Sequence, residues 1–175
     1  MIRGERVNLR TIREKDLDEL YNLSCEVEDA GEFMPVALQS QSGFKAQFQQ
    51  SGFWSDDMGE LVIETAAGEI AGIIGFTKTA HYIDGFELFY RIFESKHRGK
   101  GLMSEALPAF IRFIFQSKNV NRLQAVTVEG NEASVAILDK MGFVFEGTMR
   151  QARHLKGQHV NLKVYAILKD EALAS

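Results

Sequence analysis

Cysteine is nearly absent from the sequence, and histidine is scarce. The 175 residues include one cysteine, Cys25, and four histidines, His81, His97, His154 and His159. A single thiol cannot form an internal disulfide or a site with several thiolate ligands, and this composition is typical of a reducing compartment. The histidines do not follow the HExxH spacing or a similar ligand pattern. The sequence therefore indicates no metal.

Long apolar runs are also missing. No uncharged apolar stretch approaches the roughly 18 residues that a membrane span requires, and the opening MIRGERVNLR contains no apolar signal core. The length and the 45% apolar content suit one domain over residues 1–175. We therefore expect a cytoplasmic protein with no membrane partner.

An excess of positive charge is lacking as well. Lys and Arg number 20 against 24 Asp and Glu, a net charge of -4, so no nucleic-acid partner is expected. Locally, residues 14–32 are rich in acids, whereas residues 150–163 are rich in Arg, Lys and His. Solvated surface is the simpler interpretation of both runs, and a binding role is the alternative.

The hydrophobic pattern predicts strands and helices in a mixed order. Helices are expected in KDLDELYNLSCEV (15–27), near SGFKAQFQQ (42–50), in LMSEALPAFIRFIF (102–115) and in NEASVAILDKMGF (131–143). Strands are expected in ERVNLRTI (5–12), ELVIETAA (60–67), EIAGIIGFTKT (69–79), FELFYRIF (86–93), RLQAVTVE (122–129) and two final strands around a turn at Lys156 and Gly157.

The loop KHRGKG (96–101) lies between a predicted strand and a predicted helix. Gly99 and Gly101 allow backbone N–H groups to converge on an anion at the helix N-terminus, and Lys96, Arg98 and Lys100 add positive charge. A phosphate or pyrophosphate suits such a loop. The spacing matches neither GxxxxGK[ST] nor GxGxxG, and an ordinary turn with solvated cations is the alternative.

A second motif follows in NEASVAILDKMGFVFEG, where an asparagine opens a helix that ends in GF. With KHRGKGL, it makes the sequence resemble the GNAT acyltransferase superfamily, whose acetyl-CoA loop follows the pattern [QR]xxGxG[AG]. Within that superfamily, the sequence most resembles the ribosomal-protein N-terminal acetyltransferases and the spermidine acetyltransferases. The resemblance implies an α/β (α+β) GNAT fold. Its central, mostly antiparallel mixed sheet has about seven strands, splayed between strands four and five and flanked by about four helices.

The resemblance also implies acetyl-CoA as cosubstrate, an amine acceptor and no metal, and it admits a homodimer. In the family, backbone groups of the fourth strand polarise the thioester carbonyl and pair with the pantetheine. The implied cofactor-binding residues are Arg91, Ile92, Phe93, Lys96, His97, Arg98, Gly99, Lys100, Gly101, Leu102, Met103, Asn131 and Ser134.

One departure from the family pattern concerns the acid that protonates the leaving thiolate. Many members have a tyrosine where this chain has Leu138, which cannot donate a proton. Ser134 matches the serine proposed for that role in the N-terminal acetyltransferase group, and Tyr90 is the remaining candidate. Ser134 as a helix N-terminal hydroxyl is the alternative.

Glu87, in FELFYRIF, is the candidate base, because an acidic residue on that strand often removes the amine proton through water in the family. Its alternative is a strand residue that faces solvent or pairs with a cation. The acceptor site is expected between residues 24–57 and the last hairpin, with the candidate substrate contacts Glu32, Phe33, Met34, Glu87, Arg153 and His154.

Two functions from different classes are open at this stage. One is an N-acetyltransferase that moves acetyl directly to a primary amine of a small molecule or a peptide N-terminus. The other is a non-catalytic CoA-binding sensor or interaction module, which the loss of tyrosine at Leu138 would suit. A nucleotide-phosphate binder ranks below both, because it gives the helix after Asn131 no role.

Overall fold

The structure is a computed structural model that describes residues 1–34 and 38–174. These residues form eight strands, which are β1 (Ile2–Arg3), β2 (Val7–Thr11), β3 (Met58–Thr65), β4 (Ile70–Lys78), β5 (Phe86–Ile92), β6 (Arg122–Val128), β7 (Val144–Leu155) and β8 (Gln158–Leu168). They also form five α-helices, which are α1 (Leu17–Cys25), α2 (Gln41–Ser51), α3 (Leu102–Ser117), α4 (Glu132–Lys140) and α5 (Lys169–Leu173). None of the helices described combines the length and the apolar character that crossing a bilayer demands.

All strands belong to one sheet in the order β1-β2-β3-β4-β5-β6-β8-β7. Every neighbouring pair is antiparallel except β5 and β6, which are parallel. The predicted fold class is confirmed. The sequence did not predict β1 or α5, because two and five residues are too short to show a period.

Helices cover the two faces of the sheet. On one face, α3 buries Leu107, Phe110 and Ile114 against the sheet, and Leu138 of α4 joins the same core. On the other face, α1 and α2 cover a smaller core that contains Leu20, Phe44, Phe53, Val62 and Phe93. Alternate residues of β5 therefore face opposite cores, a consequence of the two-residue period of a strand.

A buried ion pair ties β2 to the turn before α1. Arg10 Nη1 donates to Asp16 Oδ2 at 2.6 Å, and both side chains are about 5% exposed. Arg10 Nε also donates to Glu64 on β3 at 2.7 Å, and the Arg13 N–H donates to Asp16 at 2.8 Å. Burial acts to raise the pKa of Asp16, but the hydrogen bonds from Arg10 and Arg13 outweigh it and hold that pKa below its ordinary value.

We expect Asp16→Ala to lower the free energy of unfolding by about 3–5 kcal/mol, because it leaves the buried Arg10 guanidinium without its main partner. Asp18→Ala is the control, since Asp18 pairs with Lys45 at 2.7 Å in an exposed position, where loss of an ion pair has little effect on stability. Urea unfolding measures both. Because the pKa of Asp16 is lowered in the folded state, its carboxylate stabilises the fold at pH values above the unfolded-state pKa. This stabilisation is lost as the pH falls, so Asp16→Ala should lower the free energy of unfolding by less in acidic solution. Equal costs for the two variants would contradict the account.

Candidate active site

The parallel strands β5 and β6 separate part-way along their length. Their register joins Phe86 to Leu123, Glu87 to Gln124 and Leu88 to Ala125, whereas β5 continues to Ile92 and β6 to Val128. Beyond Leu88 the two strands diverge, which leaves backbone groups on their facing edges outside the ladder. This opening, here called the split, confirms the splay expected between the fourth and fifth predicted strands.

The loop KHRGKG connects the open end of β5 to α3. Gly99 and Gly101 have φ values of 70° and 75°, a left-handed conformation that side-chain-bearing residues avoid. Gly101 is the N-cap of α3, and the first α-helical bond across it runs from Glu105 N to Gly101 O at 3.2 Å. The N–H groups of Leu102, Met103 and Ser104 therefore have no carbonyl partner within the helix and face outward from its N-terminus.

The four basic side chains of this loop differ in their surroundings. Arg98 is exposed, but it donates to the carbonyls of Ile92 and Phe93 at the end of β5. His97 is buried, with Nε2 3.8 Å from a Glu69 oxygen. Lys96 and Lys100 are exposed, and Lys96 pairs with Glu94 at 3.0 Å. Arg98 thus ties the loop to the end of β5, and Lys96 and Lys100 face solvent.

A fifth cation reaches this loop from the opposite end of the sequence. Arg6 Nη1 lies 3.4 Å from the carbonyl oxygen of Lys100, and a Cβ on Gly101 would come within 2.9 Å of it. The Glu105 carboxylate on α3 accepts a hydrogen bond from the Arg6 backbone N–H at 3.0 Å, which holds the turn between β1 and β2 against α3. Sequence reasoning missed Arg6, since nothing in its local sequence shows that the β1–β2 turn folds beside α3.

Two hydroxyl groups meet across the split. The Tyr90 hydroxyl on β5 and Ser134 Oγ on α4 are 2.8 Å apart, and either can donate. Asn131 caps α4 by accepting the Ser134 N–H at 3.2 Å, which positions the serine in the first turn. Burial raises the pKa of Tyr90 and outweighs the opposite effect of the Ser134 hydrogen bond, so the phenol stays protonated near neutral pH.

The position at which the family pattern places a tyrosine holds Leu138 in this chain. Leu138 is fully buried in the core beneath α3, where it contributes only packing. Tyr90 instead brings a phenol to Ser134 from the opposite side of the split. The sequence suggested Tyr90 and Ser134 separately, and the structure places them in contact.

Glu87 lies where β5 and β6 are still paired. Its carboxylate is part-buried and accepts a hydrogen bond from Gln124 Nε2 at 2.8 Å. By the alternation of side chains it lies on the sheet face covered by α1 and α2, opposite to the face that Tyr90 occupies. The hydrogen-bond partner of Glu87 is thus the side-chain amide of Gln124 on the adjacent strand β6.

A cavity of about 300 Å³ lies on that same sheet face, between α1, α2 and β5. Four phenylalanine rings line it, from Phe44, Phe53, Phe89 and Phe93, together with Tyr90, Met34, Glu60 and Arg91. The Arg91 guanidinium stacks on the Phe93 ring at 5.2 Å. Burial raises the pKa of Glu60 to about 7. Glu60 was not predicted as a site residue, because it begins the strand pattern ELVIET like an ordinary surface acid.

The remaining predicted acceptor residues fall into separate groups. Met34 lines the cavity, while Phe33 packs against the cluster of Val128, Leu155 and Leu162 near the last hairpin. Glu32 is exposed, as are Arg153 and His154 on β7, and the His154 ring stacks edge-on against His159. Pro35, in the same predicted segment, lies outside the described residues. Lys156 at the hairpin tip donates to the Gly31 carbonyl at 3.0 Å, so the hairpin and the segment before α2 do meet.

Within residues 1–34 and 38–174, no three His, Cys, Asp or Glu side chains are gathered closely enough to hold a metal ion. What the site does offer is an anion-binding helix N-terminus, open strand edges, a hydroxyl pair and a partly apolar cavity that contains a carboxyl group. This combination suits a phosphate-bearing substrate that enters the split and a second substrate that meets it from the cavity.

Comparison with known proteins matches this geometry. Residues 6–144 match the family described as acetyltransferase (GNAT) domain. The putative ribosomal N-acetyltransferase YdaF of Bacillus subtilis is 30% identical over 173 residues, covering 96% of this chain and 94% of the relative. The uncharacterized N-acetyltransferase p20 of Bacillus licheniformis is 30% identical over 110 residues, but the match covers 63% of this chain and only 61% of the relative.

A solved structure shares the fold at lower identity. The spermidine N-acetyltransferase of Vibrio cholerae, solved in complex with CoA and spermine, superposes with a TM-score of 0.85 at 18% identity. The superposition covers 97% of this chain and 99% of the other. At this identity the likeness supports the fold and not the acceptor.

Proposed function

The chain belongs to the GNAT acetyltransferase family, and from this premise we propose that it transfers acetyl from acetyl-CoA directly to a primary amine within a ternary complex. The observation that carries the proposal is the split itself. The glycine loop at the N-terminus of α3 lies at its open end, and the Tyr90–Ser134 pair lies within it. A phosphate-bearing thioester and a proton donor for its sulfur would thereby be brought to one place.

Acetyl-CoA binding falls to the loop, the open strand edge and the start of α4. The N–H groups of the loop and of Leu102 and Met103 would bind the pyrophosphate, with Lys96 and Lys100 supplying charge from the solvent side. The backbone from Arg91 to Phe93 would pair with the pantetheine. His97 and Arg98 would serve this site by shaping the loop, because His97 is buried and Arg98 donates to backbone carbonyls at the end of β5.

The reaction needs a neutral amine, a polarised carbonyl and a protonated leaving group. Glu87 would take the ammonium proton through water, after which the amine nitrogen attacks the thioester carbon. The C–N bond forms, the C–S bond breaks, and the thiolate takes a proton from Ser134, which regains one from Tyr90. The attacking nitrogen would lose its second proton to water, and solvent would restore the proton of Tyr90. The carbonyl oxygen would be stabilised by a backbone N–H near Tyr90 to Ile92.

Ser134→Ala should lower kcat and kcat/KM about equally, by roughly 10- to 10²-fold, because a hydrogen bond to the departing sulfur acts mainly in the transition state. Tyr90→Phe should give a similar loss if the two hydroxyls act in series. The double variant should then be hardly slower than either single variant, which is the expected behaviour of residues that act as a unit. Steady-state kinetics with one good amine acceptor measure all three.

Asn131→Ala is the matched control for these kinetics. It removes the cap of the same helix, at about 1 kcal/mol, and should weaken acetyl-CoA binding more than it slows the chemical step. If Ser134→Ala raises the KM for acetyl-CoA while kcat is intact, then the serine binds or caps and the acid lies elsewhere.

The acceptor class is suggested by the relatives and tested by activity. Relatives named as acetyltransferases of ribosomal proteins and of spermidine make a peptide N-terminus or a small polyamine reasonable first substrates. A panel of such amines should be incubated with acetyl-CoA while free thiol is measured, and products identified by mass. Thiol release that depends on an amine supports the proposal. Tight acetyl-CoA binding without turnover of any amine would instead support a CoA-binding sensor.

A further inference from the structure

Glu60 is a carboxyl group in an unusual place. It lies on β3 within the cavity beside β5, among aromatic rings, and no described residue forms an ion pair or a hydrogen bond with its carboxylate. Burial of an acid without a partner is costly, and proteins normally pair such a group or keep it neutral. Glu60 is half-buried and faces a cavity, so a carboxylate with no ion-pair or hydrogen-bond partner among the described residues suits an external cation.

The sheet register brings Glu60 toward the reacting strand. Glu60 pairs with Gly75 on β4, and Gly75 pairs with Phe89 on β5. Gly75 has no side chain to stand between them, and the Phe89 ring covers it so closely that a Cβ there would lie 2.3 Å from the ring. The carboxyl group of Glu60 and the ring of Phe89 therefore line one continuous cavity, which reaches Tyr90.

We propose that this cavity binds the cationic amine of the acceptor, with Glu60 as the residue that selects an ammonium on an apolar stem. A carboxylate opposes the positive charge, and aromatic rings favour both a cation and a hydrocarbon chain. The assignment rests on the proposed transfer reaction, and it gives Glu60 a role in recognition that is separate from proton removal by Glu87.

A pair of probes of matched shape tests the proposal. 2-Phenylethylammonium and the neutral 2-phenylethanol are titrated by calorimetry into the full chain saturated with CoA. At about pH 8 the wild type should bind the cation at least about tenfold more tightly than the alcohol, and Glu60→Gln should reduce that preference to about twofold or less. Asp57→Asn, which removes the same charge from an exposed position just before β3, should keep the preference.

The wild type supplies a second readout that needs no variant. Besides Glu60, the charged or titratable side chains that line the cavity in the described chain are Tyr90 and Arg91, both on β5, whereas α1, α2 and β4 contribute neutral groups. Tyrosine and arginine do not change charge between about pH 8 and pH 5.5. The ratio of the affinities for the ammonium and the alcohol should therefore fall between about pH 8 and pH 5.5, because the Glu60 carboxylate takes up a proton.

Each outcome separates this proposal from the reaction on which it rests. CoA binding followed by equal affinity for both probes would overturn the role of Glu60 and leave the transfer reaction intact. A preference that persists in Glu60→Gln, or that does not change with pH, would also overturn it. Failure of the wild type to bind CoA at all would overturn the transfer reaction and this inference together.

Discussion

Valine at both Gly99 and Gly101 is expected to weaken acetyl-CoA binding by at least about 10²-fold. Both glycines have positive φ values, and a β-branched residue in that region costs about 1–3 kcal/mol per position, so the loop would leave its present shape. At Gly101 the added carbon would also press on the Arg6 guanidinium, 2.9 Å away. Titration of the purified variant with acetyl-CoA measures the loss.

Gly52→Val is the control for general backbone strain. Gly52 also has a positive φ, 60°, and an open surrounding, but it lies at the C-terminal end of α2, outside the loop. It should lower stability without changing affinity for acetyl-CoA. An unchanged affinity in the Gly99 and Gly101 double variant would remove the loop from the binding site.

The second large effect concerns the proton on the amine. Glu87→Gln should lower turnover by roughly 10²-fold or more, with little effect on acetyl-CoA binding. The size follows from the usual contribution of a general base. Rates measured with the acceptor in excess provide the comparison.

Gln124→Ala is the matched variant for this experiment, because it removes the amide that donates to Glu87 at 2.8 Å and leaves the carboxylate in place. It should lower the rate by about tenfold or less. If Glu87→Gln keeps its rate, Glu87 is a structural partner of Gln124 and no base.

The sequence predicted most of the fold because its long elements carry clear periods. The helical period of α3 and the apolar run of β4 are clear in the sequence. The two motifs at Gly101 and Asn131 predicted helix N-termini that the structure confirms. The predicted helix starting at Asn131 begins one residue later, since the asparagine is its cap. Short elements such as β1 show no period, so local sequence could not reveal them.

The site was less predictable, because its contacts depend on strand register and on long-range packing. Tyr90 and Ser134 are 44 positions apart, and their hydroxyls meet only because β5 diverges from β6 and the start of α4 lies beside the opening. Glu60 faces the cavity across Gly75, a relation that no linear motif encodes. Arg98 donates to the backbone carbonyls of Ile92 and Phe93, contacts that the loop sequence KHRGKG does not reveal.

The central claim is that the thioester of acetyl-CoA lies in the split beside the hydroxyl pair. Isotope-filtered nuclear Overhauser measurements on the protein bound to acetyl-CoA labelled with carbon-13 in the acetyl group test it most directly. We expect contacts from the acetyl methyl protons to the Tyr90 ring and to the β-protons of Ser134. Acetyl contacts confined to residues away from β5 and α4, in a complex that still binds tightly, would contradict the account.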